Sequence, residues 1–162
     1  MLHMQHMGAF RISERRMAMD IIDEVTRECL LTRTRRISRV ITGLYDQQLR
    51  PFGLNSPQFT LLVLISRLGP VTRSEIGRHN HQERSTLTRN LQILLSEGWV
   101  EESREAADGR SRPIILTKAG RDLLESAAPS WRAAQVQAKT ILGKTGVAAV
   151  MDIAADLPQS AA

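Results

Sequence analysis

Two short helical patterns joined by a polar turn, with a pair of strand-like segments directly after them, constrain this fold more than any other feature. Thr72 and Glu75 have the spacing of a capping box at the start of the first helix. After a polar turn at 79–81, the pattern predicts a second helix from Gln82 to Glu97, with Gly98 placed to end it. Two helices joined in this way have the outline of a helix-turn-helix.

The segment after Gly98 has the pattern of a β-hairpin. Trp99-Val100 and Ile114-Ile115-Leu116 are rich in β-forming residues, and the polar stretch 104–112 between them contains Asp108-Gly109. We therefore expect a mainly α fold with a small, charge-tipped β-hairpin, that is, a winged helix-turn-helix.

Long helical patterns lie on both sides of this unit. The first runs from Ile21 to Leu49 with one apolar stripe, and a second begins at Ser56-Pro57, with Ser56 predicted as the N-cap. Thr117 is predicted to cap a further helical pattern that continues to Leu157, and we expect a bend at Pro129. Gly143 and Gly146 are predicted to interrupt this pattern as well.

These patterns divide the chain into four parts. Residues 1–20 are predicted to be a poorly ordered tail, 21–50 a dimerisation helix, 54–116 the winged helix-turn-helix domain and 117–157 C-terminal dimerisation helices. The helix at 21–50 and the helices at 117–157 carry more apolar surface than a small winged domain can cover. Leaving that surface exposed to water would cost roughly 25 cal/mol per Å². Pairing with a second copy would cover it, which predicts a homodimer.

Charge makes nucleic acid a plausible partner. The 162-residue chain has a formal net charge of +5, and 19 of its 22 basic residues are arginine, whose planar guanidinium suits phosphate and guanine edges. The codon bias of a GC-rich genome explains the same arginine content. A single cysteine, no long apolar run and no secretory pattern predict a cytoplasmic protein without a membrane segment.

A helical wheel separates the two faces of the second helix of the helix-turn-helix. Leu87, Leu91, Leu94 and Leu95 define the buried side, and Gln82, Ser85, Arg89 and Gln92 lie opposite, with Thr86 at the margin. In a major groove, Arg89 suits guanine, Gln82 suits adenine, and Ser85 or Thr86 suits phosphate or a thymine methyl group. The alternative is an ordinary solvated helix face.

The tip of the hairpin carries Asp108, Arg110 and Arg112. Arginine on a narrow ribbon suits a minor groove, and Asp108 could orient Arg110 by pairing with it. A plain surface hairpin with a salt bridge is the alternative.

In these stretches the sequence resembles the MarR-type winged-helix transcription regulators. The matching segments are 54–59, 84–91, 97–100 and 108–120, in the family's order and at its spacings, and the resemblance covers roughly residues 27 to 157. It implies a homodimeric repressor on a pseudo-palindromic operator, released by a small ligand or an oxidant. By the family match, Arg84 to Arg89 carry the major-groove role, with Arg84 as a phosphate contact, and Asp108 and Arg110 carry the wing role.

The same resemblance implies an effector pocket between the dimerisation helices and the winged domain. The candidate wall residues are Arg39, Phe52, Phe59 and Trp131, which suit an aromatic carboxylate or its thioester, although core packing explains the apolar members equally well. Cys29 is either an inert cysteine or a redox switch, since Arg27 and Arg33 are near enough in sequence to lower its thiol pKa.

Enzymatic function is disfavoured because the sequence has no glycine-rich phosphate loop, no metal-ligand array and no nucleophile–base motif. His79 and His81 lack further ligands at zinc spacing, so neither a metal site nor a cofactor is expected. The function predicted is a DNA-binding transcriptional repressor. Its alternatives are a repressor switched through Cys29 and a winged-helix interaction module that does not bind DNA.

Overall fold

The computed structural model describes residues 20–79, 84–103 and 112–157. These residues belong to two compact units that divide between Val40 and Ile41. Within the described ranges, no helix combines the length and apolar character that crossing a membrane requires.

The first unit contains helix α1 (20–28) and the start of helix α2 (Leu30–Leu49). The single helix predicted from Ile21 to Leu49 is therefore wrong at one point, because the helix is interrupted at Cys29. The Arg33 guanidinium donates to the carbonyl oxygens of Thr26 (3.4 Å) and Arg27 in the last turn of α1. The last carbonyl groups of a helix have no partner within it, so this side chain stabilises the interruption.

The second unit begins within α2, which ends in a 3₁₀ turn (Arg50–Phe52) and at Gly53, where φ is 71°. Helix α3 (Ser56–Leu68) follows. Its N-cap is Asn55 and not Ser56: the Asn55 side chain accepts from the Gln58 N–H at 2.9 Å, and the Gln58 side chain accepts from the Asn55 N–H at 3.0 Å. This reciprocal pair places the cap one residue earlier than predicted.

The helix-turn-helix consists of α4 (Arg73–His79) and α5 (Arg84–Ser96). The predicted capping box is confirmed, since the Thr72 hydroxyl accepts from the Glu75 N–H at 3.3 Å and the Glu75 carboxylate accepts from the Thr72 N–H at 2.9 Å.

The C-terminal end of α5 is closed by backbone hydrogen bonds. At Gly98, with φ of 70°, the N–H donates to Leu95, and the Trp99 N–H donates to Leu94 at 3.0 Å, which is the Schellman pattern.

The predicted hairpin is present as strands β1 (Val100–Glu102) and β2 (Ile114–Leu116), paired antiparallel with Val100 opposite Leu116. Val71 extends this sheet, because it exchanges both backbone hydrogen bonds with Ile114, at 2.7 and 3.1 Å. The segment before α4 is thereby attached to the hairpin.

Helix α6 (Lys118–Asp156) completes the described chain and starts at an N-cap provided by Thr117. Pro129 lies inside it, and the bend expected there stays a prediction. The interruption predicted at Gly143 is confirmed, since φ is 66° and ψ is 171° at that residue. The core of the second unit is formed by apolar residues of α3, α4, α5 and the hairpin, among them Leu62, Ile65, Ile76, Leu87, Leu91, Leu94, Val100 and Ile114.

Candidate functional site

Helix α5 presents a continuous polar face to solvent. Its apolar side packs against α3 and β1, and Leu87, Leu91 and Leu94 are buried there, as the helical wheel predicts. The opposite face carries Ser85, Arg89, Gln92 and Ser96, all exposed. Burial of one side of the helix therefore fixes which side chains face outward.

Of the eight residues predicted to contact DNA, the structure describes five. Arg84, Ser85, Thr86 and Arg89 are exposed on α5, and Arg112 is exposed just before β2. Gln82, Asp108 and Arg110 lie outside the described residues.

The described guanidinium groups of this set are not neutralised by any carboxylate in the described segments. No carboxylate of the described chain lies within ion-pair distance of Arg84, Arg89 or Arg112. An arginine already paired with a carboxylate would have to break that pair to bind a phosphate or a base. These side chains avoid that cost.

The outward face of α5 also forms a shallow depression that is widely open to solvent. It is lined by residues of this helix alone, namely Arg84, Ser85, Thr88, Arg89, Gln92, Ile93 and Ser96. Three of these residues, Thr88, Ile93 and Ser96, were not among the predicted site residues, and Gln92 was recognised only as part of the exposed face.

Helix α4 is attached to the hairpin and to the hydrophobic core. The Arg73 guanidinium pairs with the Glu102 carboxylate at 2.6 Å, which joins the start of α4 to the end of β1. The backbone N–H and the hydroxyl of Thr72 donate to Glu75, and they hold the pKa of its carboxyl below the usual range. Ile76 is fully buried on the inner side of α4. These contacts give the helix-turn-helix a defined geometry.

The base of the wing is set by the hairpin ladder and by one further hydrogen bond, from the Ser103 N–H to the Pro113 carbonyl at 2.7 Å. Arg112 therefore lies close to the last paired residues of the hairpin. It is the only predicted wing residue that falls within the described segments.

The predicted ligand residues are brought together only in part. Phe59 and Trp131 line one pocket of about 360 Å³ in the second unit, with Ile41, Thr42, Tyr45, Leu49, Ser56, Pro57 and Thr60. Phe52 packs against the hydrophobic core and is not among these lining residues. Arg39 belongs to the first unit, where it lines a separate shallow surface with Thr34, Arg35 and Ser38.

This pocket combines aromatic walls with hydroxyl groups. The Tyr45 hydroxyl donates to the Gln135 side-chain oxygen, and burial raises the pKa of Tyr45, so it remains a neutral donor. No charged side chain is among the residues that line the pocket. Such a lining suits a small aromatic molecule bound by packing and hydrogen bonds.

Cys29 lies at the start of α2 with its side chain partly exposed. The backbone N–H of Thr32 holds the pKa of its thiol below the usual range, and the Thr32 hydroxyl and the Arg33 guanidinium act in the same direction. Arg27, which the sequence also suggested, is not among the causes. In the described part of the chain, no cluster of three or more His, Cys, Asp or Glu side chains could hold a metal ion.

Comparison with known proteins gives consistent matches. A family model described as MarR family matches residues 52–111. YwoH, an HTH-type transcriptional regulator of Bacillus subtilis, is 35% identical over 89 residues, which cover 55% of this chain and 64% of the relative, slightly less than two thirds.

Two relatives have solved structures with a bound partner. The Mycobacterium tuberculosis regulator MosR in complex with DNA is 36% identical, with a TM-score of 0.63 over 80% of this chain and all of that one (100%). The M. tuberculosis MarR family protein Rv2887 in complex with p-aminosalicylic acid is 26% identical, with a TM-score of 0.59 over 76% of this chain and 94% of that chain.

Proposed function

The chain belongs to the MarR family of transcriptional regulators, and we propose on that basis that it is a repressor that binds a pseudo-palindromic DNA operator as a homodimer. The observation that carries the proposal is the outward face of α5, where exposed arginine and hydroxyl side chains have no carboxylate partner among the described residues. The DNA complex of the relative MosR supports the choice of partner.

In the proposed complex, α5 lies in the major groove and its residues divide into two roles. Arg89 donates two hydrogen bonds to O6 and N7 of a guanine, which specifies sequence. Arg84, at the flank of the helix, and Ser85 and Thr86 contact phosphates, which fix the position of the helix in the groove. Gln82 is proposed to contribute an adenine contact from the segment before α5.

The wing, which is the hairpin formed by β1 and β2, is the second part of the proposed DNA-binding surface. Arg110 and Arg112 would enter the adjacent minor groove, where a narrow A·T tract concentrates negative potential. Asp108 would pair with Arg110 and orient it. These wing contacts rest on the sequence pattern and on the exposed position of Arg112 at the end of the hairpin.

The effector is proposed to bind the pocket lined by Phe59 and Trp131. Rv2887, the relative with salicylic and p-aminosalicylic acid complexes, supports an aromatic ligand of this size. The lining offers hydroxyl groups and no cation, so ring packing would dominate affinity. Coupling of about 1–3 kcal/mol between ligand and DNA would then be enough for regulation.

DNA binding is tested with Arg89→Ala. Loss of a bidentate base contact should weaken binding to the selected operator by about 1–3 kcal/mol and weaken binding to unrelated duplex less. Affinities are measured by fluorescence anisotropy over a salt series, using duplexes selected by the wild-type chain from a random pool. Arg132→Ala, which removes an exposed arginine of α6, is the matched control and should leave operator affinity nearly unchanged.

Two outcomes contradict this proposal. Equal losses on operator and unrelated duplex would make Arg89 a phosphate contact. Wild-type protein that ignores all duplexes at low salt would favour an interaction module without DNA binding.

Effector binding is tested separately by titrating aromatic carboxylates, their thioesters and neutral aromatic amides into the protein–operator complex. We expect operator release and a change in tryptophan fluorescence, to which Trp99 and Trp131 both contribute, with at least one class. The absence of any response would remove the ligand-release part of the proposal.

A further inference from the structure

The polar stripe on α5 continues past Arg89 to Gln92 and Ser96. Ser85, Arg89, Gln92 and Ser96 stand at i, i+4, i+7 and i+11, so they lie close to one line along the exposed side of the helix. All four line the same depression. The surface available to a groove is therefore longer than the segment from Arg84 to Arg89.

Hydrogen bonds inside α5 separate the polar side chains of the stripe into two groups. The Thr88 hydroxyl donates to the Arg84 carbonyl at 2.8 Å, and the Ser96 hydroxyl donates to the Ile93 carbonyl at 2.9 Å, so the single proton of each hydroxyl is already used. Among the described residues, no group accepts from or donates to the side chains of Arg89 and Gln92. Within the described segments, these two side chains therefore keep all their donors and acceptors for an external partner.

Gln92 has the chemistry of a base-reading residue and not of a phosphate contact. Its amide is uncharged and offers a donor and an acceptor side by side, the arrangement that pairs with N7 and N6 of adenine in the major groove. Thr88, one turn earlier, and Ile93 line the depression beside it and provide apolar surface. A methyl-bearing wall beside an amide favours a base edge over a hydrated phosphate.

We infer that Gln92 is a specificity-determining residue that reads an adenine next to the guanine read by Arg89, an inference that rests on the proposed DNA-binding function. Three residues along a helix advance about 4.5 Å, and adjacent bases of a strand are about 3.4 Å apart. For a helix lying along the groove, Arg89 and Gln92 therefore reach neighbouring base pairs. Each half of the operator should contain guanine and adenine at adjacent positions.

The test uses the full chain and the duplex that the wild-type protein selects from a random pool. Each adenine of one half-site is replaced in turn by 7-deazaadenine, which lacks the N7 acceptor. Wild-type affinity should fall by about fivefold to 100-fold at one adenine next to a guanine. Gln92→Ala should not respond to that replacement, and it should bind all four base pairs at this position within about threefold of one another.

Gln137→Ala is the matched control, because it removes an exposed amide side chain of α6, outside the proposed DNA-binding surface. It should keep wild-type base preferences at every position. The inference is overturned if Gln92→Ala keeps the wild-type preference at every position, or if it loses equal affinity on operator and unrelated duplex. A wild-type chain that selects no sequence would instead defeat the proposed function, and the two failures are thereby distinguished.

Discussion

Backbone groups close to a side chain determine which of its hydrogen bonds are already made and which protonation state it favours. Thr88 and Arg89 are adjacent on α5 and both exposed, yet the Thr88 hydroxyl is bonded to the Arg84 carbonyl whereas the Arg89 guanidinium has no carboxylate partner in the described chain. Cys29 is a second case, since the nearby N–H of Thr32 stabilises its thiolate. Neither the hydrogen bond of the Thr88 hydroxyl nor the lowered pKa of Cys29 could be predicted from residue type alone.

The lowered pKa of Cys29 leads to a pH prediction. A depressed pKa means that the thiolate persists to lower pH than in a free cysteine, whose pKa is about 8.5. The rate of alkylation by iodoacetamide should therefore reach half its plateau at a lower pH in the folded chain than in the same chain unfolded in urea. Because Cys29 is the only cysteine of the chain, the label reports on one site.

The redox alternative is decided by comparing operator affinity before and after peroxide treatment. If Cys29 is the switch, peroxide should weaken operator binding by the wild type and should leave operator binding by Cys29→Ser unchanged. Equal release of operator by the variant and the wild type would exclude Cys29 as the switch.

The start of helix α6 packs very closely against neighbouring residues, and the glycine at position 120 makes this possible. A Cβ atom added at Gly120 would lie 2.1 Å from the Trp99 carbonyl oxygen and 2.7 Å from Leu116 Cδ1. The first obstacle is backbone and cannot rotate away. Glycine at this position lets the start of α6 pack directly against Trp99, just before β1, and against Leu116 of β2.

Gly120→Ala should accordingly destabilise the protein by about 1–3 kcal/mol through overpacking, although alanine is the better helix former. Gly146→Ala, in the same helix, is the matched control, because its closest contact would be 3.4 Å from Leu142 Cβ. It should stabilise by about 0.5–1 kcal/mol. Urea unfolding at one protein concentration measures both, and a stabilising Gly120→Ala would contradict the close docking.

At the scale of the whole molecule, apolar side chains remain exposed on both units. In the first unit they include Leu30 (78% exposed) and Ile22 (62%), and in the second Val136 (64%) and Ile153 (62%). Large apolar side chains left exposed in number are typical of residues that are covered in an interface. This surface supports the homodimer that the sequence predicts.

We predict that Ile141→Asp weakens self-association. Burying an aliphatic side chain contributes about 1.5–3 kcal/mol, and a two-fold interface contains the substitution twice, so the dimer dissociation constant should rise at least about tenfold. Sedimentation velocity measures it, and operator affinity should fall in parallel. Thr140→Asp adds the same charge at an exposed polar neighbour and should change the dissociation constant much less. A wild-type chain that is monomeric where it binds DNA would contradict the prediction.

Signals within a few residues of each other were enough to predict most elements. The capping box of Thr72 and Glu75, the leucine period of α5 and the Thr117 cap each act through neighbours in sequence, and the structure confirms all three. The outward face of α5 follows from the same period. Family resemblance alone supplied the expectation of an effector pocket.

Tertiary structure decided the features that depend on atoms far apart in sequence. Phe59 and Trp131 meet in one pocket whereas Phe52 packs elsewhere, and Gly120 meets the Trp99 carbonyl, although no local pattern records these approaches. Local hydrogen bonding and periodicity are encoded in short stretches of sequence, whereas packing between elements depends on shape and distance, which exist only once the chain has folded.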